Sequence, residues 1–157
     1  MSIANQRPAA MDSGFSADSV ESIKYSTANL NTYGIYYNWY TATAGHGISS
    51  KTSGNVDGDI CPKGWHLPTG DTYGEFYELD RLVGQSSLTT APINFSLAGY
   101  AGTKVYSVGT YGLYWSSTTI NTEDAYSLYL YSGNVQPGTN NARRHFGYSV
   151  RCVMDKD

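Results

Sequence analysis

Cys61 and Cys152 are the only thiols in this chain of 157 residues. Thiols offer three kinds of chemistry: a disulfide, a metal ligand or a nucleophile. Cys61 opens the run CPKGWHLPT and Cys152 lies in GYSVRCV near the end of the sequence. Each sits in an apolar, strand-like context, which favours a structural bridge over a reactive site. Such a bridge would close almost the whole second half of the chain, is worth roughly 4 kcal/mol by loop entropy, and implies an oxidising compartment. A cytosolic protein with reduced cysteines is the alternative.

Other chemistry has less support. His46, His66 and His145 are far apart, and there is neither a HExxH pair nor a CxxC, so a zinc site is not expected. Asn55, Asp57 and Asp59 alternate as oxygen ligands do in a calcium loop, but Ile60 and His66 stand where an EF-hand needs Gly and Glu. A solvated turn is the expected reading. Glu78 and Asp80 diverge on a helix and do not form a glycosidase pair. Neither a GxSxG elbow nor a phosphate-binding GxxxxGK[ST] loop occurs. No catalytic residue, cofactor or metal is therefore assigned. The net charge of −3 and the lack of a basic run argue against nucleic acid as partner. No apolar run is long enough to insert in a membrane, and no signal peptide is evident.

These residues need a framework to position them. The chain has 40% hydrophobic residues, 15 Tyr and 17 Gly but only 15% charged residues. This fits one globular domain with an uncharged, aromatic surface. Tyr, Ser, Gly and Asn compose adaptable binding surfaces, although strands also favour Tyr. Residues 1–30 read as an N-terminal arm, packed or partly disordered, and residues 31–157 as the compact domain. YGIYYNWY (33–40) reads as a buried strand. Thr72 and Glu75 have capping-box spacing before a helix with Phe76, Leu79, Leu82 and Val83 on one face, stopped at Gly84. INFSLAGY, TKVYSV, GLYWSST, DAYSLYLY, GNVQ and GYSVRCV follow as short antiparallel strands, with turns at Ser132-Gly133-Asn134 and Pro137-Gly138. Early helices and late strands give an α+β domain. In DAYSLYLY, alternation assigns Tyr126, Leu128 and Leu130 to the core and Ser127, Tyr129 and Tyr131 to the opposite, exposed face.

The pieces YGIYYNW, ICPKGWHLPT, AGY, GLYWSST, AYSL and GYSVRCV, in that order, resemble the Fibrobacter succinogenes major paralogous domain, a bacterial family. The resemblance implies a C-type-lectin-like fold with long loops and late strands carrying a ligand surface. Some relatives are variable proteins of diversity-generating retroelements, in which adenines near the 3′ end of the gene are rewritten while the framework stays fixed. Asn121, Asn134, Asn140 and Asn141 lie in the corresponding region. Tyr111, Leu113, Asn121, Ser127, Tyr129, Tyr131, Asn140, Asn141, His145 and Phe146 are then the expected contact residues. Trp115, Ser116, Ser117, Gly147 and Arg151 match the framework, and Tyr148 is assigned to packing. The calcium-ligating EPN or QPD and WND strings of sugar-binding C-type lectins are absent; Gln136-Pro137-Gly138 lacks the carboxylate. Formylglycine-generating enzymes share the broad architecture, but the framework setting of both cysteines speaks against that activity. The implied function is non-enzymatic recognition of a protein or other surface macromolecule, outside the cell or at its surface. An invariant adhesin or structural module binding cell-wall polysaccharide is the alternative.

Overall fold

The computed structural model describes residues 33–46, 54–131 and 133–156. The proposed arm at residues 1–30 lies outside them. Two α-helices and eight strands make an α+β fold among the described residues: α1 (Trp39–Ala42), β1 (Gly54–Asn55), β2 (Trp65–His66), α2 (Glu75–Val83), β3 (Tyr100–Ala101), β4 (Val105–Tyr106), β5 (Tyr111–Thr119), β6 (Asp124–Tyr131), β7 (Asn134–Arg143) and β8 (Val153–Met154). The main sheet has the order β1-β5-β6-β7, and β2-β8 and β3-β4 form two-stranded sheets. All named pairings are antiparallel.

Burial of the main sheet on both faces dominates the architecture. Tyr114, Leu128 and Leu130 point to one side and pack with Phe76 of α2, Leu88 and Phe95. Leu113, Trp115 and Ala125 point to the other and pack with Tyr37, Trp39, Leu67 and Tyr148. Trp115 stacks on Tyr148 at 4.3 Å. Its indole N–H donates to the Tyr37 carbonyl at 2.7 Å, while the Trp39 N–H donates to the Ser116 carbonyl at 2.8 Å. These two buried bonds satisfy the only polar atom of each ring and staple the early segment onto the central strand.

YGIYYNWY is buried as expected but is not a strand throughout. Tyr37 makes a single bridge to Tyr148, then Asn38 turns the chain into α1 by accepting from the Thr41 N–H. An Asn oxygen that caps an orphan helix donor decides this locally against the β preference of its neighbours.

The cap of α2 also differs from the expected one. Thr69, not Thr72, makes the reciprocal bonds: its hydroxyl accepts from the Glu75 N–H, and the Glu75 carboxylate accepts from the Thr69 N–H, both at 2.9 Å. Thr72 instead binds Asp71. Three further residues of chain fit between the partners because Gly70 and Gly74 let the backbone fold tightly there. Gly84 ends the helix with a left-handed φ of 77°.

Tyr131 pairs with Asn134, so β6 and β7 form the expected hairpin, with Gly133 at φ 80°; Ser132 of the expected turn lies outside the described residues. Pro137-Gly138 is not a turn. It lies inside β7 as a bulge, where the register shifts between Ser127 opposite Asn140 and Tyr129 opposite Gln136. Pro cannot donate to the ladder and Gly138 takes φ 85°, the same chemistry a turn would use. The displaced Gly138 carbonyl accepts from the Asp71 N–H at 2.7 Å, joining β7 to the entry of α2.

Candidate functional site

CPKGWHLPT forms the base of the scaffold. Cys61 is bonded to Cys152 across a separation of 91 residues. Next to this disulfide, Trp65 and His66 pair with Met154 and Val153. Leu67 is buried in the core, and Asp59 accepts from the N–H groups of Cys61 and Leu67 at 2.8 Å each. Asn55 likewise accepts from the Thr118 hydroxyl. Asp59 therefore shapes the turn leading to Leu67, while Asn55 ties β1 to Thr118 of β5.

His66 joins this base to α2. Its Nδ1 lies 2.6 Å from Asp155, and its Nε2 lies 2.8 Å from Glu75. Burial lowers the imidazole pKa, but the hydrogen bonds and charges of both carboxylates outweigh it and carry the pKa above its ordinary value. Both nitrogens are consumed by tying β8 and α2 together, so His66 acts as a structural clasp.

At the opposite end of β5 and β6 the covering layer stops, and tyrosines fill the gap. Tyr111 stands edge-on to Tyr129 at 5.2 Å and to Tyr131 at 6.4 Å, and Tyr129 stacks on Tyr131 at 4.7 Å. All three are half-buried. Burial, the bond with the Tyr111 hydroxyl and neighbouring tyrosines push the Tyr129 phenol up to about 12. The patch continues into Tyr100 of β3, which lies near enough to Tyr129 to add to that shift. Tyr100 stacks on Tyr106 at 5.2 Å and meets Phe146 edge-on at 5.8 Å. His145 is exposed beside Phe146, and Lys104 lies over the Tyr106 ring at 5.3 Å.

Gly99 sets the position of the β3-β4 hairpin. Its φ is 71°, and a Cβ there would fall 2.0 Å from the Tyr106 carbonyl oxygen. Only a residue without a side chain allows that approach.

Five of the ten expected contact residues thus come together: Tyr111, Tyr129, Tyr131, His145 and Phe146. Leu113 is only 4% exposed and belongs to the floor of the cluster. Ser127, expected on the exposed face, is fully buried because the Trp39 and Trp115 layer covers its end of the sheet. Its hydroxyl accepts from the Asn140 amide at 2.8 Å, which leaves Asn140 half-buried beyond the bulge. Asn141 is opposite Tyr126 and so faces away from the tyrosine side. Asn121 occupies the β5-β6 turn, at the far end of strands spanning roughly 25 Å. Its side chain accepts from the Glu123 and Asp124 N–H groups, and its carbonyl accepts from Arg144. These are scaffold roles.

Tyr100 and Tyr106 were not among the expected contacts. Neither were Asn134 and Gln136, both exposed, which lie directly across from Tyr131 and Tyr129 and therefore share their face. The signal available was the hairpin itself: a two-residue loop fixes the register that brings the amides beside the rings. No family model, curated protein or solved structure matches the chain. The assembled surface offers aromatic area, phenol hydroxyls and carboxamides on a double-sided core, the groups that bind by contact and hydrogen bonding.

Proposed function

We propose that this chain is a non-enzymatic ligand-binding protein, displaying a Tyr-rich face on a C-type-lectin-like scaffold, and that it is a retroelement-diversified variable protein of the family its motifs resemble. The observation that carries this reading is the continuous half-buried cluster of Tyr100, Tyr106, Tyr111, Tyr129, Tyr131 and Phe146, rimmed by Asn134 and Gln136. Phenol rings give large contact area with few torsions to freeze, and the amides beside them adapt to different partners. The ligand is a protein or another surface macromolecule. The Cys61–Cys152 bond supports an extracellular or cell-surface location, and no described helix is long and apolar enough to cross a membrane.

The experiment compares capture of surface-exposed host proteins by the native chain and by Tyr106→Ala and Tyr131→Ala variants. Each variant is expected to lose at least tenfold in capture of a specific partner, while the lost ring contacts cost about 1–2 kcal/mol of stability. Undiminished capture by both folded variants would sink the proposal.

A further inference from the structure

We propose a second ligand site, for a monocarboxylate with an apolar body, in the groove between the segment 33–37 and the segment 149–152 beside the disulfide. The groove has a volume of about 420 Å³, within the range of small-ligand pockets. It is independent of the tyrosine face, with which it shares no lining residue.

Arg151 sets the charge of the ligand. Its backbone stands between two anchors: Ser149 donates to the Leu113 carbonyl at 3.0 Å and accepts from the Trp115 N–H at 3.1 Å, and Cys152 is bonded to Cys61. Its guanidinium is held as well, by the Ile93 carbonyl at 2.7 Å, by the Asn94 carbonyl at 3.4 Å and by the Phe95 ring, 5.0 Å below it. These two bonds engage only part of the five N–H groups of the fork, and neither acceptor carries a charge. No Asp or Glu lines the groove, and among the described residues no carboxylate pairs with Arg151. Its charge is felt at the groove wall. Burial raises the pKa of the lining Tyr114 phenol, while the bonds with Ser96 and the positive charge of Arg151 draw it back down.

The remaining lining sets the body. Ile35, Pro62 and Val150 are aliphatic, Tyr33 and Tyr37 are aromatic, and Trp65 adds an indole that is 45% exposed. A wholly neutral ligand in this groove would displace water from the guanidinium and leave the charge uncompensated, and an amine would add like-charge repulsion. A carboxylate instead takes the open N–H groups in charge-assisted bonds, while its body covers the apolar walls. Arg151 is the single charged lining residue, so a monoanion matches the charge of the site.

The test titrates the intact, oxidised chain with phenylbutyrate and octanoate, using saturation-transfer NMR and tryptophan fluorescence. Because Trp39 and Trp115 are fully buried, a fluorescence change reports Trp65. Phenylbutyramide and phenylbutylamine keep the body and change the charge, and acetate keeps the charge without the body. Saturable binding of at least one of the two acids at millimolar concentration is expected, with the amide and the amine weaker by tenfold or more and acetate giving no saturable response. Arg151→Gln and Trp65→Ala, followed by NMR, should each weaken the acid by tenfold or more. The ligand series reads the charge preference on the native chain, so it decides the matter even if Arg151→Gln does not fold. Tyr131→Ala should bind the acid normally, which separates this site from the tyrosine face. No saturable response to either acid, an amide or amine that binds as well, acetate that binds as well, binding retained in both groove variants, or a loss in Tyr131→Ala would overturn the proposal.

Discussion

Removing the Cys61–Cys152 bond by Cys61→Ala/Cys152→Ala releases a loop of 91 residues in the unfolded chain. Loop-closure entropy for that length corresponds to roughly 4–5 kcal/mol at 25 °C. A domain of this size shifts about 2–4 °C in melting temperature per kcal/mol, so the expected drop is about 8–20 °C. The native fold should survive, because three other devices hold the same segments together: the β2-β8 pairs, the His66–Asp155 contact and the mutual backbone bonds of Tyr37 and Tyr148. Circular dichroism of the oxidised chain and the double variant at low temperature should therefore coincide. Urea unfolding should show a larger m-value for the variant, since its unfolded state is no longer cross-linked and exposes more surface. A melting shift below about 3 °C with unchanged m would refute the loop-entropy reasoning. It would mean that residual structure already constrains the unfolded chain as the bond does.

Two further changes probe the scaffold. His66 has a folded pKa raised above its ordinary value, so its contribution is fully present below the unfolded pKa of about 6.5 and is lost as pH rises through the folded value. The melting difference between the native chain and His66→Gln should be largest under mildly acidic conditions and shrink in alkaline buffer; the opposite trend would contradict the clasp. Arg144 is 3% exposed, lies 4.3 Å over the Trp39 ring and donates to the Thr119 hydroxyl and the Asn121 carbonyl. Arg144→Met should cost roughly 2–4 kcal/mol in urea unfolding by removing those charge-assisted bonds and the contact with the Trp39 ring, and a loss under about 1 kcal/mol would contradict that role.

The legible parts of the fold were those determined within one segment. Alternation in DAYSLYLY correctly sends Leu128 and Leu130 to one side and Tyr129 and Tyr131 to the other, because neighbouring strand positions alone decide it. The α+β class and the β6-β7 hairpin are equally local. The pairing of Cys61 with Cys152 is long-range, but it was legible because the chain has only two thiols, each in an apolar setting. Burial of Leu113 and Ser127 was not legible, because it depends on Tyr37, Trp39 and Tyr148, which are distant in sequence and cover the second face of the sheet. Pro137-Gly138 has turn composition in either role; only contact with Gly70 and Phe76 makes it a bulge. Tyr100 and Tyr106 enter the site through a hairpin whose close approach depends on Gly99, and strand-like composition gave no hint of where that hairpin docks.

The most direct test of the central claim is deep sequencing of this gene across a natural host population. The account expects adenine-position substitutions concentrated at codons for the exposed cluster, namely Tyr106, Tyr111, Tyr129, Tyr131, Asn134, Gln136 and His145. Codons for the buried Leu113, Trp115, Ser127 and Tyr148 should be constant. A uniform gene, or changes spread over all bases and over buried and exposed codons alike, would contradict a diversified binding face.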